Sequence, residues 1–186
     1  MRITTLLLTL TLTLTLTLTL TLTSANAGKL NPAEVRELKT AALKIREAYQ
    51  ARDVEAMMKI NHPSLMRHAG GREQMRAQLA AGFRALEGVQ VNIVEWSYGD
   101  PGDTYQLGRM ELCILPQRTI LAQPGGATLR GESYILALRN NGEGRWTFID
   151  GNALHRDKGL LQKLLPNFPR TIKLPEVKLT SDRKLP

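Results

Sequence analysis

An α+β domain is the fold class that this 186-residue sequence predicts. Three observations point to it. Apolar residues recur at helical spacings of three and four up to about Leu86. From Val89 onward the chain reads as β-strands separated by Gly, Pro and Asn clusters. No change of composition between the halves marks a linker, so helices and strands belong to one folding unit.

The first helix opens at Asn31-Pro32-Ala33-Glu34, which supplies an N-cap, a Pro at the first helical position and a Glu placed to complete a capping box. Val35, Leu38, Ala42, Ile45 and Tyr49 then fall on one face. Asp53 caps a second, short helix carrying Met57, Met58 and Ile60, which His62-Pro63 interrupts. "SLMRHAGG" reads as a brief turn. Met75, Leu79, Phe83 and Leu86 mark a further helix that Gly88 closes. "VQVNIVEWSY" alternates and then shifts phase at Ile93-Val94, the signature of a bulge. "TYQLGRMELCILP", "QRTILAQ", "TLRGESYILALR" and "RWTFID" follow as consecutive antiparallel strands, with turns at Pro124-Gly125-Gly126 and Asn140-Asn141-Gly142. "DKGLLQKLLP" gives a short last helix. Residues 166–186, with Pro169, Pro175 and Pro186 among charges, read as a Pro-rich, basic, extended tail.

Before this domain stands a tract in which Leu and Thr alternate from Leu8 to Thr23. Its period is that of a strand, but its position after Met1-Arg2, its lack of charge and the Ala25-Asn26-Ala27 that follows are those of a secretory signal peptide. Residues 1–27 are therefore expected to be removed between Ala27 and Gly28, leaving a periplasmic or secreted protein whose domain spans 28–165. Membrane attachment would come only through an uncleaved signal. The net charge of +8 would ordinarily suggest nucleic acid, but export removes that partner. The basic residues are also interleaved with acids, as in "VRELKTAALKIREAYQARDVE", which is the pattern of a solvated helix face.

A single cysteine excludes an internal disulfide, so stability must come from packing. Cys113, between Leu112 and Ile114, reads as a buried strand thiol. The three His residues, His62, His68 and His155, lack the spacing of a metal site, and neither metal nor cofactor is expected.

"AYQARDVEAM" (48–57), "GGREQM" (70–75) and "RWTFIDG" (145–151) resemble helix-end, helix-start and last-strand patterns of the nuclear transport factor 2-like superfamily, over most of Asn31 to Leu165. The resemblance implies a curved antiparallel sheet wrapped round a long helix as a cone, commonly with a pocket for a small amphipathic molecule. Ketosteroid isomerase, polyketide cyclases and dehydratases share that fold with many non-catalytic domains, so the fold leaves the function open. In the isomerases a first-helix Tyr lies eight residues before the Asp that opens the second helix. Here that position holds Ile45, which has no hydroxyl, and Tyr49 comes one turn later.

Candidate bases are His62 and His68 in "HPSLMRHAGG" and Glu111 on a strand. Read as one strand, "TYQLGRMELCILP" places Arg109 and Glu111 on the face of Tyr105, Leu107 and Cys113, while Arg130, Glu132 and Tyr134 share a face in the next. Turned into the cone, Glu111, Glu132 and Tyr134 would form a polar patch in an apolar pocket. Turned outward, they belong to charge pairs on a solvated sheet. Ile45, Tyr49, Glu132, Tyr134 and Trp146 are the expected ligand-binding residues. The expected function is an exported, non-catalytic domain that binds a small apolar molecule or an envelope protein. An isomerase-, dehydratase- or cyclase-like enzyme with a His or Glu base, and an envelope scaffold that dimerises through its sheet, are the alternatives.

Overall fold

The computed structural model describes residues 28–87, 92–140 and 143–182. The Leu-Thr tract, Gly88, the start of the first strand at 89–91 and Asn141-Gly142 lie outside the described residues. The fold is α+β, with helices packed on a curled antiparallel sheet.

Helix α1 (Pro32–Gln50) begins as its sequence dictates: Asn31 Oδ1 accepts from the Ala33 and Glu34 N–H groups, and the Glu34 carboxylate accepts from the Asn31 N–H in return. Asp53 caps α2 (Val54–Ile60) through the Ala56 N–H. The supposed turn after it is a helix, α3 (Pro63–His68): Pro63 occupies the first turn, where no N–H is needed, and the His62 side chain caps it. α4 (Arg72–Glu87) follows Gly70 and Gly71, both at positive φ, and buries Met75 and Phe83.

In the sheet, β1 (Asn92–Tyr98) pairs with β3 (Met110–Ala122), and the register slips between Ile93 and Glu95 so that Val94 bulges outward, 64 % exposed. "TYQLGRMELCILP" is not one strand. It folds back at Gly108-Arg109, with Leu107 opposite Met110, into the hairpin of β2 (Thr104–Leu107) and β3. Gly108, at φ +65°, takes the first position of this two-residue loop, where a side chain would be strained. β3 in turn runs through Pro116. The Pro116 carbonyl accepts from the Gly99 N–H, so its ring nitrogen points to that same side, away from β4 (Thr128–Asn140), and the β3–β4 ladder loses nothing. β4 is the central strand, buried without interruption from Ser133 to Arg139. Its far edge is shared by β5 (Glu143–Asp150) and β6 (Lys178–Asp182).

Both faces of the sheet are covered. Leu38 and Ala42 of α1 lie on the face of Cys113, Leu115, Ile135, Ala137, Trp146 and Phe148. Tyr134, Leu136 and Leu138 point the other way, against α5 (Gly151–Arg156) and α6 (Leu160–Leu164). Gly151 is required at the start of α5, because a Cβ there would stand 2.5 Å from the Tyr134 carbonyl oxygen. The segment after Pro166, expected as an extended tail, is part of this second layer: Phe168 and Ile172 are buried, and β6 returns to pair with Thr128–Glu132.

Cys113 is fully buried, and its burial, with Glu111 nearby, pushes the thiol pKa up to about 12. The native protein is expected to resist a thiol reagent at neutral pH and to react once denaturant is added. Stoichiometric labelling without denaturant would contradict that burial.

Candidate functional site

The β3–β4 register decides which polar groups meet. Glu111 stands opposite Arg139 and falls on the α1 face, whereas Tyr134 stands opposite Pro116 and falls on the α5–α6 face, so the polar patch of Glu111, Glu132 and Tyr134 does not form. Glu132 is exposed near the sheet end, and Tyr134 is a core residue, 3 % exposed. Glu111 pairs instead with Arg139, whose Nε lies 2.7 Å from the carboxylate. Arg139 is nearly enclosed, also bonds Glu34, and holds its guanidinium 4.4 Å above the Trp146 ring. One cation therefore ties the start of α1 to β3 and β4. Glu111 is committed to this cluster rather than poised as a base.

Ile45 packs against the core of the α1 face, and Tyr49 meets Phe83 and Trp96 edge-on, with ring centroids 5.8 and 5.3 Å away. Neither is a wall of the groove between α1, α2 and β5 or of the smaller cavities beside His62. His68 is exposed at the end of α3. His62 is 7 % exposed and tightly held: its backbone N–H donates to the Phe148 carbonyl, and its Nδ1 lies 2.6 Å from Ser64 Oγ and accepts from the Ser64 N–H at 3.3 Å. Burial, aided by the charge of Arg67, pushes its pKa down to about 4, so the ring is neutral at pH 7. Among the described residues no carboxylate bonds to His62, and no group of His, Cys, Asp and Glu could hold a metal ion.

A groove of about 710 Å³ lies between α1, α2 and β5. It exists because the facing positions are small: Ala41 and Ala48 on α1, Ala51 at its C-cap and Ala56 on α2 keep the helices from filling it. Ile60, Trp146 and Phe148 form apolar walls. Of the ligand-binding residues expected from sequence, only Trp146 lines this groove, and its indole N–H is buried with no acceptor among the described residues. Lys44, Lys59 and Arg145 stand at its rim alongside Glu37, Glu47 and Asp53. Sequence reasoning passed over the alanines, whose recurrence at 41, 48 and 51 was the available signal. The chain matches no protein-family model, no curated protein and no solved structure.

Proposed function

We propose that this chain is an exported, non-catalytic binding domain that holds a small amphipathic molecule in the α1–α2–β5 groove. The observation that carries the reading is the groove itself: about 710 Å³, apolar-walled, with cations at its rim. The volume suits a small organic ligand. Export is supported by the signal-like residues 1–27. A cone of the nuclear transport factor 2-like type is supported by the order of helices before a curled antiparallel sheet. Absence of turnover is supported by the engagement of Glu111 with Arg139 and of the His62 Nδ1 with Ser64.

An apolar fluorophore such as anilinonaphthalene sulfonate tests the groove. It should bind the native protein and raise its melting temperature, because it recognises the folded state alone. Ala51→Trp and Ala56→Trp, at positions that are exposed and half-buried, should each weaken binding about tenfold, or about 1.4 kcal/mol, by filling the space. Unchanged affinity in both variants would sink the reading. Molecules retained by protein purified from its native envelope, identified by mass spectrometry, would then name the ligand.

A further inference from the structure

We infer a second ligand site, which borders the groove at Arg145, in which the imidazole of His62 receives the carboxylate of a small apolar acid. Two adjoining cavities, of about 330 and 230 Å³, share His62, Pro63, Met110 and Asn140 as walls. Around the larger one Leu107, Leu164, Leu165 and Phe168 give an apolar chamber, and Arg67 stands beside them. Around the smaller one lie Thr147, Arg139 and Arg145.

The donor on His62 is fixed by its neighbours. Because Nδ1 accepts the Ser64 N–H, it carries no proton, and the Ser64 hydroxyl at 2.6 Å donates to it as well. The neutral ring therefore keeps its proton on Nε2, which has no hydrogen-bond partner among the described residues. Two further donors without an acidic partner among the described residues, the Arg67 and Arg145 guanidiniums, stand one at each cavity. Arg139 is neutralised by Glu34 and Glu111 and adds no free charge. An N–H donor beside unpaired guanidiniums recognises a carboxylate, and the leucines, Met110 and Phe168 recognise a hydrocarbon body rather than a bare anion.

Octanoate is the probe, with octan-1-ol and inorganic phosphate as controls. Octanoate should raise the melting temperature and shift the His62 Nε2–H resonance, binding about tenfold more tightly than either control. Arg67→Gln, at an exposed position, and His62→Asn, which retains an acceptor to cap α3, should each weaken octanoate about tenfold. Ala51→Trp, which fills the groove, should leave it unchanged, so this site and the groove stand or fall separately. The inference is overturned by octanoate binding that survives both Arg67→Gln and His62→Asn, that disappears in Ala51→Trp, or that octan-1-ol or phosphate equals. It is equally overturned if octanoate fails to bind at millimolar concentration.

Discussion

Arg139→Met is expected to cost about 3–5 kcal/mol of folding stability, because it removes one partner from a buried ionic cluster and leaves the other behind. Arg139 has 2 % of its side chain exposed, and Glu111 has 12 %. With the guanidinium gone, the Glu111 carboxylate must stay unpaired in a site from which water is largely excluded, or move out at the expense of the β3–β4 packing. Glu34, with 29 % of its side chain exposed, can rehydrate and still accept from the Asn31 N–H. The Trp146 face loses its cation as well. Urea denaturation would show the loss as a lower midpoint with an unchanged slope. Adding Glu111→Gln to Arg139→Met should restore part of the stability, since the stranded charge is then absent. A loss below about 1 kcal/mol would mean that these pairs behave like exposed ones.

Local chemistry made much of the fold legible. The Asn31 capping box, the Asp53 cap and the phase shift at Ile93-Val94 each rest on residues close in sequence, and each stands in the structure as read. The misreadings came from residues whose meaning depends on distant neighbours. Pro116 normally ends a strand, yet here its missing donor faces the Gly99 loop. Gly108 looked like one residue of a strand because a two-residue loop leaves little mark on an alternating pattern, and missing it reversed the face of every residue from Thr104 to Leu107 relative to β3. Phe168 and Ile172 fall in the stretch that reads as tail because the prolines around them suggest an extended chain. Extended chain can still bury side chains when a sheet face lies beneath it.

The candidate site was less legible for the same reason. Glu111 has Arg109 two residues away in sequence, which suggested a local pair. The β3–β4 register instead places Arg139 opposite Glu111, and α1 brings Glu34 to the same guanidinium. A groove is also defined by what is small, and alanines in a helix carry no chemistry of their own. Trp146 is the expected ligand-binding residue that lines the groove, and its buried indole N–H, which has no acceptor among the described residues, is a deficit that only the packed structure exposes.

His62 should make the protein acid-sensitive in a window that a single substitution removes. Its pKa is about 4 in the folded protein, against 6.5 for the free side chain, so between those values the unfolded chain binds a proton that the folded one refuses. Stability from this group is thus fully present above pH 6.5, declines as pH falls, and is lost once pH passes below about 4. The full change is about 3 kcal/mol, taking 1.36 kcal/mol per unit for a ring as enclosed as this one. Desolvation is the main cause, and the Arg67 charge acts in the same direction. His62→Asn retains an acceptor for the Ser64 N–H but does not titrate, so its stability should change less with pH than that of the wild type between 6.5 and 4.5. Equal slopes for the two proteins by chemical denaturation would refute the assignment. Octanoate gives a second comparison: an anion beside the ring favours imidazolium, which raises the folded pKa toward 6.5 and narrows the window. The wild-type slope should therefore flatten when octanoate is bound, and the His62→Asn slope should not respond.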